Sequence, residues 1–325
     1  MPIGRRAALA LPSLLLPWRA RPAAAQDAFP ARPITIVSGY APGGVTDVTS
    51  RAVADRLSRE LGQPCVVENR VGAATAVANN AVAQARPDGY TLLMGTSTLA
   101  INPALQPNLA PKDPMRELAP VGMVFRTAFV LHVHPGLGVG STAELIAWAK
   151  ARPGQLNFSS SGTGAVNHLA LALFAQRAGI EVTHVPYRGG APALLDLRAG
   201  RVQAMFSAVL EALPSLRDGG TRGLAISSAG REALLPELPP VADVLPGFDA
   251  VFWQGLFAPA STPAPVLARL GTALAAATDD ATLRARMAEQ GVAITTGDAA
   301  ALARLLAAET ALWGGLIRQA GIRAE

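Results

Sequence analysis

From residue 33 onward, short runs rich in β-branched residues alternate with stretches of helical period. "PITIVSGY" reads as a strand, and "DVTSRAVADRLSREL" sets Val48, Ala52, Leu57 and Leu61 along one helical face. "PCVVENR" predicts a second strand, "ATAVANNAVAQA" a second helix, and "PDGYTLLMGTS" a turn at Pro87, Asp88 and Gly89 that feeds a third strand. This βαβαβ order with short loops implies a parallel sheet with right-handed crossovers.

A Pro-rich connection over 103–120 follows, and then "VGMVFRTAFVLHVHP" reads as apolar extended chain. The alternation restarts at "STAELIAWAKARP", a helix with Ser141 as N-cap and Glu144 three residues on, a capping box. "LNFSSSG" is a strand. "AVNHLALALFAQRAG" is a helix with Val166, Leu169, Ala170, Leu173 and Phe174 on one face. "VTHVPY", "APALLDLRAG", "VQAMFSAV" and "TRGLAISS" then read as strand, helix, strand and strand. After the strand "VFWQGLFAPAST" come two helices and a terminal helix with Leu302, Leu305, Leu306, Leu312, Trp313 and Leu316 on a core-facing stripe. One strand and three helices do not make a third domain, so they are expected to return to the first. The expected division is a lobe of 26–131 with 252–325 and a second lobe of 132–251.

Composition changes this picture mainly at the start of the chain. Half of the 325 residues are apolar and 16% are charged, enough for two medium cores. Residues 1–25 carry Arg5 and Arg6, a short apolar run and an Ala-x-Ala site ending at Ala25, and read as a secretory signal peptide. The competing reading is an amphipathic first helix, which Pro12, Pro17, Arg19 and Arg21 favour. No later segment offers the ~18 uninterrupted apolar residues of a membrane span. A soluble periplasmic protein is therefore expected. Removing the four leader arginines takes the formal charge from +5 to +1, which leaves no electrostatic case for nucleic acid. Cys65 is the single cysteine, so no internal disulfide can form.

Two loops carry the candidate chemistry. "SGYAPGGVTD" and "SSSGTGAVNH" each join a strand to a helix N-terminus, where free N–H groups and the helix dipole favour an anion. Glycine at a strand-to-helix turn is also common for steric reasons alone. Matching positions in two lobes, at the carboxyl ends of strands, point instead to a shared crevice. A small anion could lie between Gly43, Gly44 and Thr46 on one side and Ser161, Gly162, Thr163 and Gly164 on the other. Neither loop has the lysine of a phosphate-binding P-loop, and "GTGAVN" breaks the dinucleotide fingerprint at Asn167. Neutral donors suit a carboxylate.

Catalytic readings find little. His132, His134, His168 and His184 show no metal-ligand spacing, no Gly-x-Ser-x-Gly elbow occurs, and no catalytic residue, metal or cofactor is expected. His168 reads as a hydrogen-bonding residue beside the loop rather than a general base, and Asp47 as either a helix cap or a ligand contact.

Ordered blocks over nearly the whole mature chain give the sequence a specific resemblance. "FPARPITIVSGYAPGGVTDVTSRAVADRL", "LGQPCVVENRVGA", "ARPDGYTLLMGTSTLAINPAL", "ARPGQLNFSSSGTGAVNHLA", "VTHVPYRGGAPALLDLRAGRV" and "WQGLFAPASTP" resemble the Bug-type periplasmic receptors of tripartite tricarboxylate transporters. The resemblance implies an α/β fold of the type II periplasmic binding protein kind, with a cleft between two α/β lobes. It implies a monomer that delivers a small organic acid to a membrane permease. The expected ligand contacts are Tyr40, Ala41, Gly43, Gly44, Thr46, Asp47, Ser97, Ser161, Gly162, Thr163, Gly164, His168 and Ser207. Two departures from the family pattern matter. Val71, Ala74 and Thr75 stand where a proline and two glycines are usual, which suggests a stiffer loop with less ligand contact. Ser207 stands where many members have an acid, so di-, tri- or aromatic carboxylates are expected over amino acids. A periplasmic α/β enzyme using Ser161 or Asp47, and a subunit that presents ligand to a sensor, remain alternatives.

Overall fold

The computed structural model describes residues 29–289, 292–295 and 297–323. The expected leader, 1–25, lies outside the described residues. The first unit runs β1 (Ile34–Ser38), α1 (Val45–Leu61), β2 (Cys65–Asn69), α2 (Ala76–Ala83) and β3 (Thr91–Thr96). β1 pairs in parallel with both β2 and β3, as the alternation of elements requires. α1 buries Ala52, Val53, Leu57 and Leu61 and stops at Gly62, whose φ of 69° lets its N–H return to the Ser58 carbonyl.

Two short helices, α3 (Thr98–Leu105) and α4 (Pro114–Glu117), occupy the stretch that reads from sequence as a Pro-rich connection. β4 (Leu118–Val133) then runs 16 residues and belongs to both halves of the molecule. Its first part, Leu118–Ala128, pairs with β9 (Val251–Pro259); its last part, Phe129–Val133, pairs with β7 (Ala204–Ala208) and β8 (Arg222–Ile226). Between these come α5 (Thr142–Ala151), β5 (Asn157–Ser160), α6 (Val166–Ala178), β6 (Thr183–Pro186), α7 (Gly190–Arg198) and, directly after β7, α8 (Val209–Arg217). The Ser141 hydroxyl accepts the Glu144 N–H at 3.2 Å, and the Glu144 carboxylate takes the Gly140 N–H at 2.7 Å. The expected box thus forms, with its acid reaching one residue further back.

The strand order is β2-β1-β3-β9-β4-β7-β5-β6, with β8 also on β4. β9 is inserted antiparallel between β3 and β4, so chain that follows the second half completes the first half's sheet. α9 (Ala264–Asp279), α10 (Ala281–Glu289) and α11 (Ala299–Ala320) close over that first half. α11 is long and apolar enough to cross a membrane by length and composition, but Leu302, Leu306, Trp313 and Leu316 are buried against α3, β4 and their neighbours. In the second half Phe158, Phe174, Phe206 and Phe248 form an aromatic core with ring centroids 5.5–6.4 Å apart.

Candidate functional site

The carboxyl ends of β1, β2 and β5 open onto a cavity of about 810 Å3, within the size range of small-molecule sites. Gly39, Tyr40, Ala41, Gly44 and Thr46 line it from the first loop, and Ser161, Gly162, Thr163 and Gly164 from the loop after β5. α1 begins after Gly44 and α6 after Ala165, and neither N-cap makes a side-chain hydrogen bond to its helix. Two helix starts thus reach the cavity without a side-chain cap, where an anionic ligand gains from the dipole and the N–H groups.

A third loop joins them. Gly72, Ala73, Ala74 and Thr75 line the same cavity, and Ala73, Ala74 and Thr75 have φ of 45°, 48° and 76°. Three successive side-chain-bearing residues in left-handed conformations are strained, the β-branched threonine most of all. Tertiary bonds hold them there: Asn102 Nδ2 donates to the Ala74 carbonyl at 2.8 Å, and the Thr75 and Thr98 hydroxyls lie 2.7 Å apart. Gly39 is required by the same packing, since a Cβ there would stand 2.6 Å from Thr75 Cβ. The loop expected to be stiff is thus tied down by side chains from α3, and its residues form part of the cavity wall.

The rest of the wall is mostly apolar. Leu105 of α3 approaches so near that a Cβ on Gly164 would lie 2.3 Å from its Cδ2, which joins the two halves across the cavity. Phe125, Phe129 and Phe252 supply aromatic surface from the shared strands, and Thr127 lies between the first two. Asn102, Gln106 and Asn167 add amides, and Leu210 and Glu211 come from the first turn of α8. Sequence reading named none of these as contacts, and it lost Leu210 and Glu211 by running β7 straight on to β8.

Several expected contacts stand behind the wall instead of on it. Asp47 is buried and does not line the cavity; its carboxylate accepts the Gly43 N–H at 3.0 Å and the Asn69 amide at 2.9 Å, and pairs with Arg51. Burial pushes its carboxyl up, but Arg51, the Gly43 N–H and Asn69 together outweigh this and hold it at about 2. Gly43 has φ of 87° and open space where a Cβ would go, so it serves the turn's conformation and not a close approach. Ser97 is fully buried and accepts the Trp253 N–H at 3.1 Å, tying α3 to β9. His168 Nδ1 accepts the Gly164 N–H at 3.0 Å, and its ring stacks on His184 at 3.8 Å. Burial, reinforced by His184, lowers its pKa to about 4, which keeps the neutral ring that such acceptance needs.

Ser207 departs furthest from expectation. It is fully buried and its hydroxyl lies 2.8 Å from His132 Nε2 in the core, so its missing charge says nothing about the ligand. A charge in the wall comes from Glu211 instead. Ser161, the candidate nucleophile of the enzyme reading, donates its hydroxyl to Asn167 Oδ1 at 2.9 Å, which is no base.

This geometry meets its counterpart in known proteins. Residues 49–322 match the family model of the tripartite tricarboxylate transporter family receptor. The chain belongs to this family. Its similarity to Protein BugT of Bordetella pertussis strain Tohama I is 35% identity over 300 residues, 91% of this chain and 92% of BugT. Among solved structures, Rpa4515 of R. palustris with adipate is 33% identical, covers 91% of this chain and 99% of its own, and superposes with a TM-score of 0.76. MatC (Rpa3494) from Rhodopseudomonas palustris with bound malate is 31% identical over 89% of this chain and 100% of its own, with a TM-score of 0.74. The receptor fold is thus the two-lobed one of periplasmic binding proteins, and its relatives are solute receptors rather than enzymes.

Proposed function

We propose that this receptor captures a small organic carboxylate between its two lobes, in the periplasm, and delivers it to a tripartite tricarboxylate-type permease. The observation that carries the reading is the pair of helix starts, one from each lobe, that meet one cavity without side-chain caps. Around them the wall offers neutral donors and no lysine or arginine among the described residues, a setting for one carboxylate held by backbone and hydroxyl groups. Adipate and malate in the solved relatives support the ligand class. Ligand contact is assigned to Tyr40, Ala41, Gly44, Thr46, Ser161, Gly162, Thr163 and Gly164, with Asp47 and His168 holding the loops that present them.

Thermal and urea unfolding of the purified protein in the presence of organic acids tests this. A bound acid at a hundred times its Kd should add about 2.7 kcal/mol to stability, while the matching neutral amide adds nothing. If no mono-, di-, tri- or amino-carboxylic acid shifts unfolding, the reading is wrong.

A further inference from the structure

α8 starts where β7 ends, and its first turn turns Glu211 into the cavity. A glutamate in a first helical turn is unremarkable for dipole reasons. Where its carboxylate lies is informative. It reaches to the start of α7, so that a Cβ on Gly190 would stand 2.6 Å from Glu211 Oε2. Among the described residues no hydrogen bond or ion pair satisfies it, and surrounding protein raises its pKa although the open cavity leaves it accessible. It is the one acidic or basic side chain among the described residues lining the cavity. Asn102, the neighbouring amide of the wall, is committed to the loop, donating to the Ala74 carbonyl at 2.8 Å. The wall therefore combines backbone donors suited to one carboxylate with a single accessible acidic side chain. Phe125, Phe129 and Phe252 leave the rest of that side of the wall apolar, so Glu211 has no competing charge there.

A plain diacid would bring a second carboxylate into a wall that already holds one and has no cation to offset it. An ammonium reverses the sign of that interaction. Resting on the carboxylate-receptor reading, we propose that Glu211 is the specificity-determining residue for an ammonium group, so that this receptor selects amino acids over the corresponding diacids.

Matched pairs test it: adipate, glutarate and succinate against the ω-amino acids of the same carbon number, and malate against aspartate, each titrated calorimetrically into the wild-type protein and into Glu211→Gln. At least one amino acid is expected to bind about tenfold or more tightly than its matched diacid to the wild type. Glu211→Gln should lose that preference, weakening the amino acid about tenfold and tightening the diacid. Glu211→Asp, which keeps the charge one methylene shorter, should retain part of the preference, and it carries the test if the glutamine variant does not fold. A wild type that favours diacids, or a preference unchanged in Glu211→Gln, overturns the role of Glu211 while leaving a carboxylate receptor in place. Failure of every acid of both classes to bind removes the receptor reading and this inference with it.

Discussion

Glu309 lies on α11 with only 6% of its surface exposed, and its carboxylate accepts the Trp253 indole N–H at 2.7 Å. Burial pushes its carboxyl from an ordinary 4.5 up to about 7, with Asp249 adding repulsion against the opposing pull of Trp253 and Arg126. The folded state thus holds a proton that the unfolded chain releases near pH 4.5, and over that window the folded chain binds more protons. Stability contributed by the neutral acid is complete below pH 4.5 and is lost as pH rises through about 7. At 1.36 kcal/mol for each pH unit between the two values, the loss is about 3 kcal/mol.

Glu309→Gln keeps an acceptor for Trp253 and cannot ionise. Urea unfolding followed by tryptophan emission, with wild type and variant compared from about pH 4.5 to about pH 8.5, reads the difference directly. The variant's stability relative to wild type should climb by about 3 kcal/mol across that range and then level off. Because Trp253 touches the carboxylate, wild-type emission should also titrate near neutral pH and the variant's should not. A stability difference that stays constant with pH to within about 0.5 kcal/mol would refute the reasoning, since the carboxyl would then titrate alike in both states.

Ala74→Gly should raise stability by up to about 1 kcal/mol in urea unfolding, because relief of the left-handed strain exceeds the added backbone entropy of glycine. A loss of stability would show that the φ of 48° costs alanine little. Asp47→Asn should flatten the acid limb. With its carboxyl held at about 2, the wild type keeps this contribution above about pH 4 and loses it as pH falls through 2. The difference should be about 1–2 kcal/mol, reduced because Arg51 is half exposed. Identical acid limbs for the two proteins would mean that the Gly43 anchor is not electrostatic.

Where hydrophobic period set the reading, sequence and structure agree. The stripes of α6 and α11 fall on buried faces, and the βαβαβ order gives the parallel pairing of β1 with β2 and β3. α3 and α8 escaped because each carries an internal proline, Pro103 and Pro214, that reads as a break, and each is under three turns long. With α8 went Glu211. Ser207 failed for a different reason. Alternation along β7 fixes which residues share a face, but both faces of that strand are buried, and nothing in five residues says which face looks at the cavity. The left-handed run at Ala73–Thr75 was illegible because its conformation is imposed by Asn102 and Thr98, more than twenty residues away, against the preference of its own side chains.

The polar residues next to the glycine loops share a logic that composition could not reveal. Asp47 takes the N–H of Gly43, His168 that of Gly164, Asn167 that of Ser161, and Asn102 gives its amide to Ala74. Each spends its hydrogen bond on a loop instead of aiming it at a ligand. A backbone donor is useful to a carboxylate only if its direction is fixed before the ligand arrives, because ordering a glycine-rich turn on binding would consume much of the gain. These four residues therefore serve as buttresses, while the contacts proposed above fall to glycine and alanine backbone and to the hydroxyl-bearing Tyr40, Thr46, Ser161 and Thr163. In such a site the side chains that touch ligand say little about its identity. Selectivity is left to the wall beyond the loops, where this chain places one unmatched carboxylate.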